Sequence, residues 1–461
     1  MNQAPSLHGD IGRFQYLALG FGTMIGSAWV ILLGDWLGKA GPGGAILGFL
    51  CGGVVMMAIG GCYAELTARL PEAGSEFIYA HRVYGRPMAF VVGWFLVLYL
   101  ICVTVFEGLA LAWIVEIVFP RWRPAELYRA FGTPISWETL VVGAGGALTI
   151  FALNFRGAKV AVVSHSLLTY GFLVVVVLIL LAMLANGRAS NALPLFATTN
   201  GKPWWLGTGA IFAFGAYALN GFQAIPQAIE ERSENTSLRV IAYLIVGSIA
   251  AAMLFYCFAV LAASTVLPWR ALTSAPLPMA TAAAALPHGQ AFVTALLIAT
   301  AVSLFKAWNG IFMMAARLFV AMARLGYIPR TFARLHDQYK SPAAALCVIG
   351  VLNVGGIFLG KGAIEPITDM CAMMLTLTYV LCSVTVLRMR RQGTVSQFQI
   401  PGGASLIWLG GIGAALMAGV ALLSPFWEQP GTVPLEWRLL GAWGLIGALV
   451  WFFWVRNASR P

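Results

Sequence analysis

Residues 21–30 read FGTMIGSAWV, and the fold turns on how that stretch is understood. Gly22, Thr23, Gly26 and Ser27 stand together inside a run otherwise apolar enough to cross a bilayer as helix. Glycine in a helix interior costs roughly 0.5–1 kcal/mol relative to alanine. Non-helical backbone at membrane depth is tolerated only where it lines a polar cavity or is buried in protein. The stretch therefore predicts a membrane helix broken at 22–27. Unwinding frees amide N–H groups at the start of the following half-helix, which suit a carboxylate, and carbonyls at the end of the preceding one, which suit an ammonium. The competing reading is that the glycines only let helices approach closely. It fits the next span better, where Gly43, Gly44, Gly48, Gly52, Gly53, Gly60 and Gly61 recur.

Outward from this stretch the chain is a polytopic α-helical membrane protein. Of 461 residues, 60% are hydrophobic and only 10% charged, against roughly 25% charged in soluble domains. Apolar runs of the ~20 residues that span a bilayer recur throughout. Twelve spans are expected, at about 13–38, 43–67, 87–118, 138–155, 159–185, 207–231, 238–266, 289–323, 342–360, 365–388, 404–424 and 436–455. No separate soluble domain interrupts them.

The net charge of +11 reads as membrane orientation and not as nucleic-acid binding. Eighteen basic residues, Arg69, Arg82, Arg324, Arg388 and Arg460 among them, fall on the side of both termini. Nine, including Lys39, Arg121, Arg123, Lys202 and Arg270, fall opposite, and Lys306 lies within a span. The positive-inside rule then places both termini in the cytoplasm, with the protein in the cell's inner (plasma) membrane. The polar start, MNQAPSLHGDIGRFQY, is not expected to be a signal peptide. The seven cysteines all fall in apolar runs without paired spacing, which favours small packing residues over disulfides or metal ligands. Trp122, Trp204, Trp205 and Trp269 suit interfacial anchoring.

A second interruption stands in the sixth span, FAFGAYALNGFQAIPQAIEE (212–231), with Gly215, Gly221 and Pro226. Interrupted spans at matching positions of two halves point to a transporter site built on inverted repeats. Five spans per half invert the second relative to the first, so the expected repeats are 13–185 and 207–388, with two additional helices at 404–455. Two ionisable residues lie deep in spans, Glu107 in VTVFEGLALA and Lys306 in AVSLFKAWNGIF. Such groups cost several kcal/mol, about 3 to over 10, in hydrocarbon and are functional by default. The alternative is a structural Glu–Lys pair that neutralises itself.

Four motifs carry a family resemblance: GTMIGSAWV followed by AGPGGA, CYAELTARLPEAGSEFIYAHRVYG (62–85), LNFRGAKV (153–160) and AARLFVAMARLGYIPRTFARLH (315–336). Together they resemble the amino acid–polyamine–organocation superfamily of secondary transporters over nearly the whole chain. The resemblance implies a LeuT-like fold, a 5+5 inverted repeat with broken helices 1 and 6. Thr23, Met24, Ile25, Gly26 and Ser27 then fall where the family's first span meets the substrate carboxylate. Gly221, Phe222 and Gln223 align with the family's G-F-E, Tyr217 with its aromatic gate, and Tyr217, Ala218, Leu219 and Asn220 with the unwound backbone. Ala28 and Trp29 depart from the family's Gly-Ile, Gln223 replaces a glutamate, and Phe172 stands where some proton-coupled relatives have lysine. Glu107 falls near the distal end of the substrate. Lys306 falls near the sodium position of sodium-coupled members, where its ammonium would replace the ion or relay a proton.

Lesser expectations complete the reading. Glu65, Arg69, Glu72 and Glu76 either pair at an inner gate or are solvated. Arg317 and Arg324 anchor the eighth span near headgroups, and His81, His165 and His336 are surface residues. Asp35 and Lys39 close the first span, Asp369 is a solvated helix end or an outer-cavity group, and Trp29 and Trp308 lie near the cavity. No HExxH, GxSxG or P-loop is present, so neither an enzyme nor a cofactor is expected. The expected function is secondary active transport of amino acids by alternating access, through proton symport or exchange. An organic amine or polyamine permease with Glu107 as counter-charge is the alternative, and a transport-deficient sensor or receptor subunit a remote one. The partners expected are a small-molecule substrate and the lipid bilayer, and nothing in the sequence sets an oligomeric state.

Overall fold

The computed structural model describes residues 11–119, 126–198, 203–393, 396–428 and 431–456. Residues 1–10, Trp122, Arg121, Arg123, Lys202 and Arg460, all used above, lie outside the described residues. In chain order come α1 (Arg13–Met24), α2 (Ala28–Ile31), α3 (Leu33–Arg69), α4 (Glu76–Tyr84) and α5 (Arg86–Val118). A hairpin, β1 (Glu126–Ala130) and β2 (Thr133–Ser136), precedes α6 (Trp137–Phe155) and α7 (Ala158–Asn186). The chain continues through α8 (Trp204–Ala218), α9 (Ala224–Gln227), α10 (Leu238–Val266), α11 (Pro278–Ala284) and α12 (Gly289–Arg324). It ends with α13 (Ala343–Ile357), α14 (Ile364–Arg391), α15 (Ala404–Glu428) and α16 (Leu435–Val450).

Among the described residues nine helical segments are long and apolar enough to cross a membrane: α3, α5, α6, α7, α10, α12, α14, α15 and α16 with its continuation to Val455. The other three expected spans correspond to shorter pieces. Residues 13–38 form α1, α2 and the first turns of α3, which kinks at Gly41 (φ +71°) between the expected first and second spans; 207–231 form α8 and α9; 342–360 form the 15-residue α13. Side chains also fix helix starts. The Ser136 hydroxyl accepts from Thr139 N at 3.3 Å at the head of α6, and Ser237 accepts from Val240 N at 3.3 Å at the head of α10, as N-caps do.

Besides the short α4 inside the 62–85 motif, two elements escaped the sequence reading. The 119–137 loop holds the antiparallel hairpin, paired from Glu126↔Ser136 to Ala130↔Thr133, so the chain is not wholly α. Its Tyr128 hydroxyl donates to Phe358 O at 2.7 Å, just past α13. The loop after α10 holds α11, begun by Pro278. Both are too short for their periodicity to stand out.

Packing separates two kinds of apolar surface. Leu167, Val174, Leu178 and Leu181 lie exposed along one face of α7, a stripe of a size that suits lipid. The glycine face of α3 is the opposite case. A methyl group added at Gly48 would meet Ile211 at 2.7 Å, and one at Gly60 or Gly53 would run into Ile249 or Met253. Close packing explains that face, as the sequence suggested. Of the cysteines, all free, Cys51 and Cys347 are exposed on the apolar surface instead of packed inside.

Candidate functional site

α1 ends at Met24, and Ile25, in extended conformation, is its C-cap; α2 resumes at Ala28. The break is therefore Ile25–Ser27, narrower than the expected 22–27, because Gly22, Thr23 and Met24 still complete the helix. The second break is displaced in the same way. Tyr217 and Ala218 are the last residues of α8, and the interruption runs from Leu219 to Gln223. The two breaks pack on each other. Gly221 has φ +113°, and a methyl there would lie 2.8 Å from Thr23 C and 2.9 Å from Met24 N. Only glycine fits both the conformation and the contact.

Side chains already occupy the carbonyls that the first break frees. Lys306 Nζ donates to Gly22 O at 2.8 Å and to Ile25 O, and lies 4.6 Å from the centre of the Phe172 ring. The Ser303 hydroxyl is 2.8 Å from both Ile25 O and Gly26 O, and the Tyr256 hydroxyl is 3.5 Å from Met24 O. At the second break Asn220 donates to Tyr217 O and accepts from the Tyr99 hydroxyl at 2.7 Å. Gln223 is used internally: its Oε1 accepts from Gly221 N at 2.8 Å and its Nε2 donates to the Tyr379 hydroxyl at 3.1 Å.

Other polar atoms at the break have no protein partner. Thr23 Oγ1, Ser27 Oγ, Trp29 Nε1 and Glu107 Oε2 are buried without a hydrogen bond. Glu107 stands against the break, its Oε1 only 3.4 Å from where a Gly26 Cβ would be. Among the described residues no direct ion pair joins Glu107 to Lys306, although the two buried charges lie close enough to interact.

A cavity of about 410 Å³ descends from the Asp35 and Lys39 side to Ser27, Ala28, Phe106 and Tyr217. The Tyr217 and Phe106 rings meet edge to face at 6.3 Å on its floor. Asp35 and Lys39 form an exposed pair at 2.9 Å, and Asp369 lines the cavity rather than closing a solvated helix end. Trp29 and Trp308 are fully buried and line no part of this cavity. Trp29 packs on Phe255 at 5.4 Å and Phe172 at 6.0 Å, and Trp308 against Gly108 and Gly146.

The opposite side is shut by ion pairs. Arg317, expected at the headgroups, is buried and clasps Glu231 with Nε–Oε1 at 2.6 Å and Nη2–Oε2 at 2.8 Å. Arg324 likewise reaches Glu230 at 2.7 Å instead of lipid. The fully buried Glu65 takes Arg69 at 2.7 Å, Arg390 at 2.5 Å and the Ile400 amide at 3.0 Å. Glu76 accepts from the Tyr63 hydroxyl at 2.9 Å, and burial holds its carboxyl above the usual range despite that bond. Of the four, only Glu72 is in an exposed pair, with Arg82.

Three further placements correct the sequence reading. His165 is fully buried beside Gly22, its Nε2 3.0 Å from Ala18 O, because α7 packs against α1. His81 is half-buried, with Nδ1 2.7 Å from the Tyr327 hydroxyl, and burial depresses its pKa. Trp269 is buried, its Nε1 donating to Pro194 O at 3.1 Å, whereas Trp204 and Trp205 are exposed. No signal of type or spacing marked His165 or the Arg317–Glu231 clasp, since the partners are far apart in sequence.

These features define a multi-pass helical membrane protein with two opposed helix breaks beneath an open cavity. Residues 11–451 match the amino acid permease family model, and the chain belongs to that family of transporters. Three relatives, all from Bacillus subtilis (strain 168), illustrate its range. The methylthioribose transporter is 22% identical over 469 positions, covering 99% of this chain and 96% of the relative. The glutamate/serine transporter AimA is 26% identical over 85% of this chain and 73% of its own length. The branched-chain amino acid permease BcaP is 23% identical over 99% and 95%.

Proposed function

We propose that this permease carries amino acids across the cell's inner membrane by alternating access. The observation that carries the reading is the asymmetry about the paired breaks. An open cavity reaches Ser27 and Tyr217 from one side, while the buried Arg317–Glu231 pair and the partly buried Glu65–Arg390 pair close the other. In this reading twelve segments cross the bilayer, with α1/α2, α8/α9 and α13 completing the nine long helices. Both termini are cytoplasmic, and residues 13–185 and 207–388 are inverted repeats. The Gly26–Ser27 end of the break receives the substrate carboxylate, and Tyr217 is the lid. The Lys306 ammonium, seated on Gly22 O and Ile25 O, serves as a fixed cation, and proton symport or substrate exchange supplies the drive.

Amino acid substrates are favoured by two of the relatives, the glutamate/serine transporter and the branched-chain permease. The buried Glu107, whose Oε2 has no hydrogen bond, favours a second reading, transport of organic amines. Proteoliposomes loaded with unlabelled serine, leucine or asparagine and given the labelled amino acid outside test the first. Counterflow accumulation is expected for at least one, and its absence for every amino acid tried, with uptake of an amine, refutes it.

A further inference from the structure

We propose that the slot between α5, α14 and α16 holds an acyl chain of an anionic phospholipid, with Arg388 receiving the headgroup. A cavity of about 580 Å³ lies where α16 stands away from α5 and α14. Each helix turns an apolar stripe to it: Val91 and Phe95 of α5, Leu377 and Leu381 of α14, and Leu440 and Gly444 of α16. In each pair the residues are four apart, one turn along the same helix face. The polar side chains in the lining are already satisfied. Thr378 Oγ1 donates to Met374 O at 2.8 Å, and Trp437 Nε1 donates to Leu422 O at 3.2 Å. The slot therefore suits hydrocarbon and not water, which needs polar partners.

The way α16 is fastened decides what can enter. Trp94 Nε1 donates to Trp443 O at 2.9 Å and Trp443 Nε1 to Trp94 O at 3.1 Å, with the two rings stacked at 4.5 Å. Nearer the start of α16, Trp437 is tied to Leu422 of α15. Between these ties a methyl added at Gly441 meets nothing within 4 Å. A helix of another protein, about 10–12 Å across with its side chains, has to pull α16 off both ties to enter. A flexible hydrocarbon chain does not.

Charge sets the headgroup. Arg388 follows Leu381 by seven residues on α14, nearly two turns and about 10 Å farther along the same face. It is exposed at the end of the span, over the Tyr84 ring at 5.0 Å, and no carboxylate pairs with it among the described residues. Arg391, one turn on, is exposed as well. The neighbouring cations are engaged elsewhere: Arg390 with Glu65, Arg82 with Glu72, and Arg86 with Val455 O. A chain lying in the slot thus ends where Arg388 meets its phosphate, and basic sites between membrane helices take anionic headgroups.

The test uses the purified full-length protein, with bound lipid counted by native mass spectrometry and affinity read from lipid-dependent thermal stabilisation. The probes are dioleoylphosphatidylglycerol and dioleoylphosphatidylcholine, which share their chains and differ in headgroup charge. Wild-type protein should bind the phosphatidylglycerol about fivefold more tightly, the worth of one arginine beside an anionic headgroup. Arg388→Gln should remove that preference and leave phosphatidylcholine binding unchanged. Gly441→Leu, which fills the slot, should weaken both lipids by about tenfold or more, since several methylenes lose their burial. Gly441→Ala has a similar gain in helix propensity but adds one methyl, and should bind both lipids as wild type does. Leu377→Trp fills the slot from α14 and takes the place of Gly441→Leu if that variant does not fold. Equal binding of the two lipids by wild-type protein, or unchanged phosphatidylglycerol binding in a folded slot-filling variant, overturns the inference. A lipid-independent dimer abolished by Gly441→Leu also overturns it, because the slot is then an interface between copies of the chain.

Discussion

Gly221→Ala tests the contact on which the site depends. At φ +113° an L-residue pays at least the cost of a left-handed conformation, about 1–2 kcal/mol. The new methyl would also lie 2.8 Å from Thr23 C and 2.9 Å from Met24 N. These are backbone atoms that cannot rotate away, and such overpacking typically costs about 1–3 kcal/mol. The sum, about 2–5 kcal/mol, is a large part of an ordinary folding stability of about 5–15 kcal/mol. The variant should therefore fold, unfold at a clearly lower temperature, and lose substrate counterflow. Gly209→Ala is the control: nothing lies within 4 Å of the added carbon inside α8, and a gain of roughly 0.5–1 kcal/mol is expected. If Gly221→Ala matches Gly209→Ala in both unfolding temperature and counterflow, the two breaks do not touch as described.

Arg317→Ala strands the buried Glu231 carboxylate and should destabilise by about 3–5 kcal/mol, measured by thermal unfolding; adding Glu231→Gln should recover part of the loss. Lys306→Ala is expected to abolish gradient-driven uptake while sparing exchange, and unchanged uptake removes its coupling role. Burial raises Glu76 above its ordinary value of 4.5, so the folded protein holds that proton more tightly than the unfolded chain does. The resulting stability is full below pH 4.5 and is lost as pH rises through the folded value. Glu76→Gln should accordingly flatten the decline of unfolding temperature with rising pH, and an unaltered slope counts against it.

The membrane class and the boundaries of the long uninterrupted spans were legible because apolar run length is a strong local signal. The expected 238–266 coincides with α10, and 289–323 with α12 to within one residue. The breaks were legible in kind, but the first was read too wide and the second two residues too early, since glycine-rich composition marks a region while hydrogen bonds decide where the helix stops. What composition did not carry was pairing at a distance. Arg317 and Glu231 are 86 residues apart, and His165 reaches Ala18 across 147. A lone arginine near a span end looks like a headgroup anchor until the fold brings a carboxylate to it. Lys306 was recognised as unusual, but its seat on Gly22 O and Ile25 O depends on how α12 crosses α1.

The Glu65 cluster bears on the order in which the protein is made. Arg69 follows Glu65 by four residues and can meet it within one helical turn as that turn emerges from the ribosome. Arg390 and Ile400 come 325 and 335 residues later. Throughout the synthesis of the intervening helices the carboxylate thus has a neighbour of opposite charge, and the distant partners join an arrangement already held. Replacing Arg69 would leave the finished protein with the Arg390 contact, yet expose an uncompensated acid for nearly the whole of biogenesis, so its effect should fall on yield more than on the assembled transporter.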